Sequence, residues 1–381
     1  MKNKKLASFI FFLSLFSFHM FPSKVYAQMT CTGSACNLMP LSPDQFNQML
    51  IDLRYQYLDV VMEDMGKAAV ISNMSGAPVG TVNLSGFSIG GIGAAGYVKE
   101  HKVPVAVTGV GTVTELPSAG FNVVPKAHVG MNLGKFFGLS YDPFKDDVDS
   151  KPSWYSLARF DVYLSGMRYK YNKETELNYN FLNGSPSLTD SYSILSDYKG
   201  VDVYYHIMEG KSFAGTMLGF LGLSAGLGYH DSIQKIDYYK ADSKAVINLN
   251  AGNQIVWHAS DLAKFHVNVR SNTAEIKSGV RFLYFFTLTG AYGTALNSGS
   301  ANINYQRFGR IYLSSDYSAA LGLTVPDAWL TMNIASEKKV PKKTNYFKVG
   351  LELNFAAVKV GFEGIQVGKD QGGSVGIRVV F

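Results

Sequence analysis

His258-Ala259-Ser260-Asp261 is the stretch of this chain with the best claim to nucleophilic chemistry. On a strand, residues two apart share a face, so the imidazole of His258 could draw a proton from the Ser260 hydroxyl. Triad chemistry also needs a third group that orients the base, and none accompanies this pair in sequence. His258 therefore reads as a turn or rim residue. His101, His128, His206, His230 and His266 are scattered singly, without metal-ligand spacing, and read as interior or loop residues. Asp142, Asp146, Asp147 and Asp149 crowd around Pro143, and carboxylates so placed could contribute to the six to eight oxygens Ca²⁺ takes. The EF-hand spacing and its closing Glu are absent, which leaves a solvated acidic loop. Gly90-Gly91-Ile92-Gly93 is no phosphate cradle, because no helix with the right apolar pattern follows it. No catalytic residue, metal or cofactor is assigned.

The two cysteines, Cys31 and Cys36, lie five apart with Gly33 between them and no His or acid in the interval. In an oxidising compartment that spacing predicts a small disulfide loop pinning the N-terminus. Export is indicated just upstream. Lys2, Lys4 and Lys5 precede an apolar run from Leu6 to Phe21, and Val25-Tyr26-Ala27 fits a small-residue cleavage site before Gln28. With residues 1–27 removed, 354 residues remain and the formal charge of +6 falls to about +2. The basic balance belongs mostly to the leader and gives no support to nucleic-acid binding.

These residues need elements to position them. Ser42-Pro43-Asp44-Gln45 opens a helix: an N-cap Ser, Pro at the first helical position and Gln placed for a capping box. Phe46, Met49, Leu50, Leu53, Tyr57, Val60, Val61 and Met65 then recur every three or four residues, so the helix is expected from Pro43 to about Ile71, weakened by Gly66. Residues 28–76 thus form an N-terminal disulfide loop and amphipathic helix. The helix either caps a barrel rim or enters the lumen as a plug through Phe46, Met49, Leu50, Leu53 and Tyr57.

From residue 77 to 381 the period changes to two. Phe347, Val349, Leu351, Leu353 and Phe355 alternate with Lys348, Gly350, Glu352 and Asn354. Tyr317 to Val325 and Val201 to Ile207 behave likewise, one row suiting lipid and the other a wet interior. Ala356-Ala357 and Pro326-Asp327 read as short turns; Ser336–Thr344 and Gly368–Gly373 read as longer charged loops, as do Gly138–Ser153 and Asn172–Lys199. Ser212–Tyr229 carries no charge and could be a membrane helix. Its Gly and Ala content and its own period-2 row favour a strand. The count comes to about fourteen strands, with twelve to sixteen open.

The chain ends on Val375, Ile377, Val379 and Phe381, an apolar row closed by an aromatic ring. This ending resembles the C-terminal signature of Gram-negative outer-membrane β-barrels. The resemblance implies an all-β, transmembrane antiparallel barrel in the outer membrane, with outer-membrane lipid around it and the barrel-assembly machinery recognising Phe381. Arg281, Lys348, Glu352, Lys359, Glu363 and Arg378 are then the charges expected inside the lumen, as a selective ring or as a sealing salt-bridge network. The leading expectation is a porin-like channel or hydrophobic-compound transporter plugged by the N-terminal helix and passing small solutes. The alternative is a surface-exposed adhesin that binds external ligands and uses the barrel as its anchor.

Overall fold

The computed structural model describes residues 27–39, 41–76, 84, 86–106, 113–139, 153–177, 188–213, 217–248, 254–313 and 327–381. Val25 and Tyr26 of the expected cleavage site, the acidic residues Asp142 to Asp149 and the strand expected over Tyr317–Val325 lie outside them, whereas Ala27 and Gln28 begin the first strand.

Apolar and polar residues alternate, and a sheet satisfies both faces only by closing on itself. The described residues supply thirteen strands in one sheet. β1 is Ala27–Gly33, β2 Phe87–Ala106, β3 Val113–Asn132, β4 Phe160–Leu177, β5 Leu188–Met208, β6 Lys211–Phe213 and β7 Leu218–Asn248. β8 is Gln254–Phe282, β9 Phe286–Leu313, β10 Asp327–Lys339, β11 Lys343–Phe355, β12 Val358–Val367 and β13 Asp370–Val380. All pairings are antiparallel, and the ring β2-β3-β4-β5-β7-β8-β9-β11-β12-β13 closes where Val380 meets Ser88. Phe381 and Phe87 exchange backbone hydrogen bonds of 2.8 and 3.2 Å at that seam.

The fold is the expected transmembrane antiparallel barrel; among the described residues thirteen strands form the sheet, within the expected twelve to sixteen, and ten of them close the ring. The chain is spent on length. β7 runs 31 residues and β8 29, whereas a tilted membrane strand needs about 9–11. The supposed loop Asn172–Lys199 is mostly the paired arms of β4 and β5, and Ser336–Thr344 is the end of β10, a turn at 340–342 and the start of β11. Gly368–Gly373 likewise shrinks to a turn before β13. From Leu218 onward the supposed membrane-helix segment is β7, and among the described residues no helix is long and apolar enough to cross a membrane.

On the short strands the expected faces hold. Phe347, Val349 and Leu351 are exposed while Lys348 and Glu352 are buried at 4% and 1%. β11 stops upward at Lys343, opposite Leu296 of β9, yet β9 continues to Leu313. Its outer edge there is taken over by β10, and β10 carries β1. Seven strands, β4-β5-β7-β8-β9-β10-β1, therefore rise past the short strands as a wall on one side of the barrel.

Along β8 the hydrophobic row changes faces without a break in the strand. Low on the strand the outer row reads Phe282, Val280, Ser278, Ile276 and Ala274, and the inner row Arg281, Lys277, Glu275, Thr273 and Ser271. Higher up the outer row becomes Arg270, Asn268, His266 and Lys264, while Val269, Val267 and Phe265 turn inward. A strand with this inversion leaves hydrocarbon partway along its length and then packs against protein.

The N-terminal helices are that protein. Helix α1 is Pro43–Leu53, with the expected Ser42/Gln45 capping box; a single π-helical turn, Arg54–Leu58, joins it to α2, Asp59–Met74. α1 packs Phe46, Leu50 and Leu53 on Trp257, Ile311, Ala328 and Leu330 of the wall. Cys31 and Cys36 form the expected disulfide beside this cluster.

Candidate functional site

α2 occupies the upper lumen. Met62, Ala69, Val70, Ile71 and Met74 pack into one cluster with Val267, Val269, Ala295, Tyr346 and Ile365 of the surrounding strands. Small residues fit it to a narrow bore, and the wall makes room in return. A Cβ on Gly96 would stand 2.0 Å from the carbonyl oxygen of Ala68, and one on Gly120 2.2 Å from that of Asp64. The helix backbone thus lies directly on two wall glycines.

Polar groups lock this seat. Lys126 is buried and its Nζ donates to the carbonyls of Ser72, Asn73 and Ser75 at 3.1, 2.9 and 2.5 Å. A cation there satisfies orphan carbonyls and opposes the negative end of the helix dipole. Asn122 donates to Ser72 at 2.6 Å, Ser118 to Asp64 at 2.5 Å, and Asn73 to Ser271 at 3.1 Å. At the upper end Asp59 accepts from Ser336 and Lys338 at 2.6 and 2.9 Å.

This corrects the expected plug residues. Phe46, Leu50 and Leu53 sit above the lumen on the wall, Met49 shares α1 with them, and the Tyr57 hydroxyl donates to the carbonyl of Pro117 at the barrel mouth. The plug is α2. The π turn at Arg54–Leu58 breaks the helical period, so one amphipathic stripe could not be extended through both helices.

Below α2 the lumen is filled by charge. Lys348 donates to Glu275 at 2.9 Å, and the hydroxyls of Tyr204 and Tyr346 donate to the same carboxylate at 2.6 and 3.0 Å. Arg378 pairs with Glu352, with Lys359 3.7 Å away, and Glu363 accepts from the backbone N–H of Gly76 at 2.9 Å. Of the six charges expected to line the lumen, Lys348, Glu352, Glu363 and Arg378 are buried there. Lys359 and Arg281 are half-buried, with the Arg281 guanidinium 5.4 Å from the Tyr284 ring centroid. The void among His128, Lys359 and Arg378 is about 10 Å³, room for about one water. The arrangement is a salt-bridge network with both signs paired in place, rather than a one-sign ring.

A second buried network went unread in the sequence. His206 bonds Asp161 at 2.8 Å through Nε2 and Ser224 at 2.7 Å through Nδ1, a Ser-His-Asp chain with the two ring nitrogens in the opposite roles to those of a hydrolase triad. All three are buried, and Asp161 also accepts from the Leu84 N–H and from Asn132. A serine with no exposure meets no substrate, so these groups serve packing. They lie on β4, β5 and β7, and their sequence separation hides them. His258 pairs instead with Asp242 at 3.0 Å and stacks on Tyr312, while Ser260 faces Tyr239.

Above α2 a cavity of about 660 Å³ opens at the mouth, floored by Val70, Ile71 and Val98 and rimmed by Lys99, His101, Lys343, Lys369 and Asp370. At the opposite end exposed aromatics, among them Phe136, Trp154, Tyr155, Phe286, Phe355 and Phe381, ring the barrel.

A family model described as Lsa36-like matches residues 24–381. A search of curated proteins finds no match. Among solved structures the chain is similar to a TodX deltaS2S3 mutant monoaromatic hydrocarbon channel, at 8% identity over 82% of this chain and 99% of that one, TM-score 0.23. It is also similar to the translocator domain of the autotransporter NalP from Neisseria meningitidis, at 8% identity, 83% and 93% coverage and TM-score 0.23. The Ralstonia pickettii toluene transporter TbuX gives 9% identity, 84% and 99% coverage and TM-score 0.21. Likeness at this level says nothing about what the chain binds.

Proposed function

The chain belongs to the Lsa36-like family, and from that premise and its geometry we propose that it is an outer-membrane anchor presenting a surface-exposed binding platform. The observation that carries this reading is the inversion along β8 and its neighbours. Below Leu296 the outer row is apolar; above it Ser298, Ser300, Asn302 and Asn304 face out and the apolar row packs inward on α1 and α2. The barrel with its aromatic rim is the part that hydrocarbon surrounds. With Phe381 at the periplasmic end, the wall, the disulfide and α1 stand on the outside. The filled lumen supports anchoring over passage.

Two measurements test the reading. The refolded mature chain should give no steady conductance in planar bilayers. Single cysteines on the wall, such as Lys264→Cys, should react with an impermeant maleimide on intact cells, and capture of external ligands by those cells should be lost when the β4–β5 and β7–β8 hairpins are shortened to the barrel mouth. Unlabelled wall cysteines in a folded, correctly inserted protein would end the proposal.

A second reading, solute passage gated by α2, is favoured by the glycine seat and by the cavity above it. Deleting residues 28–76 should then open a conductance, while an anchor whose lower lumen is sealed by Glu275, Lys348, Glu352 and Arg378 stays closed.

A further inference from the structure

The inner face of the wall is covered over only half its width. On β8, β9 and β10 the apolar row lies under α1 and α2. The same face continues across β7, β5 and β4 in two cross-strand rows, Ile236-Ile194-Tyr171 and Tyr238-Tyr192-Lys173, with Tyr169 beside them. Tyr169, Tyr171 and Tyr238 are 44%, 41% and 38% exposed, so no helix seals this half among the described residues.

That face ends at a free strand edge. β3 pairs with β4 only from Ala127↔Gly166 down to Asn132↔Asp161, although both strands continue upward. From Met167 to Leu177, β4 has β5 on one side and no strand on the other among the described residues. An unpaired edge presents a row of N–H and C=O groups that templates another strand. β3 meets the problem on its own side by side-chain caps: Phe121 N–H donates to the Met65 sulfur and Gln234 donates to the Val123 carbonyl. No such cap is found along the described part of β4.

Charge selects the visitor. Between Met167 and Glu174 this edge carries Arg168 and Lys170 on its outer face and Lys173 on its inner face, against the one acid Glu174. Arg168 lies 3.9 Å from Asp197, whereas Lys170 and Lys173 have no carboxylate partner among the described residues. Opposite charges directly across a strand pair stabilise it and like charges weaken it.

We propose that the free edge of β4 over Met167–Glu174 binds an extended acidic peptide segment of an external partner by strand addition. Its alternate apolar side chains lie over Tyr169 and Tyr171, and its carboxylates meet Arg168 and Lys170. The inference deepens the platform reading and rests on it, naming where on the wall a ligand binds and of what chemistry.

The probe is a fluorescent, end-capped peptide of alternating Glu and Val, titrated against the full mature protein in nanodiscs and followed by anisotropy. It should bind, and a Lys-Val peptide of equal length should not. Arg168→Glu with Lys170→Glu should reverse that preference, by roughly five- to tenfold in each direction. Alternate N-methylation should abolish binding when the methyls lie on the peptide edge that pairs and leave it intact in the register one residue shifted. Equal effects of both methylation registers, or no reversal by the charge swap in a folded variant, would overturn strand addition at this edge. Labelling of Asn172→Cys on intact cells separates the two levels. An accessible cysteine with no peptide binding rejects this inference alone, and an inaccessible one rejects the platform itself.

Discussion

Adding a single methyl group at Gly96 tests whether α2 is seated on the barrel wall. The Cβ of Gly96→Ala would stand 2.0 Å from the Ala68 oxygen and 2.8 Å from the Ser72 nitrogen, whereas even a tight contact is 3.0 Å. Backbone lies on both sides, so the helix must retreat by roughly 1 Å in a close-packed lumen. That retreat falls on the turn holding Ser72, whose carbonyl accepts from Lys126 at 3.1 Å and whose hydroxyl accepts from Asn122 at 2.6 Å. Overpacking costs about 1–3 kcal/mol, and weakening a charge-assisted bond adds about 1.5–3 kcal/mol. These terms overlap, so about 3–4 kcal/mol is expected, enough to raise the population of a displaced helix by a few hundredfold. Gly93 on the same strand is the control, since a Cβ there meets nothing within 4 Å and points outward. Thermal unfolding, read as the loss of fast migration in unboiled electrophoresis, should drop for Gly96→Ala and stay at wild type for Gly93→Ala. Reactivity of an Ala68→Cys probe should rise in the first background only. Equal melting and equal reactivity in the two variants would show that α2 does not rest on this wall.

Removing one partner of the buried Lys348–Glu275 pair should cost about 3–5 kcal/mol in denaturant unfolding, and the double change Glu275→Gln with Lys348→Met should recover most of it. Leu351→Arg on the outer row should destabilise the inserted barrel by about 2–4 kcal/mol, while Asn302→Arg on the same face of the wall should change little; equal costs would mean the wall does not leave the bilayer. Replacing Cys31 and Cys36 by Ser should remove about 2 kcal/mol and raise protease cleavage near α1, with barrel migration unchanged. Deleting Phe381 should lower the yield of assembled barrel in cells far more than the stability of material refolded in detergent.

The closed barrel was legible because its shortest strands obey one rule throughout. β11 keeps Lys348 and Glu352 inside and Val349 and Leu351 outside from end to end, and β13 finishes on Phe381 in the same phase. The capping box and the disulfide were equally local and equally readable. The long strands were not, for a physical reason. Alternation alone does not say which medium each row meets, and on β8 the two media exchange sides at Ser271. A reading that seeks an apolar row beside a polar one finds the phase reversed, and divides one strand into two or assigns its upper half to a loop. Asn172–Lys199 was misread in that way, because Tyr192 and Ile194 stand on what is, lower down, the polar face.

On the proposed reading, the same exchange joins the plug and the platform into one device. The inward apolar row of β8 above Ser271 needs a partner that water is not, and the N-terminal segment supplies it twice: α1 on the wall, α2 inside the barrel. A helix so placed must carry its polar groups into the lumen, where Lys126, Asn122 and Ser118 receive them. Loosening α2 would therefore weaken the wall from within. A channel that opened by expelling this helix would also have to expose Val267 and Val269, both nearly fully buried, at about 1.5–3 kcal/mol each. For the platform proposed above, the coupling favours a permanently occupied lumen in which α2 holds the long strands upright.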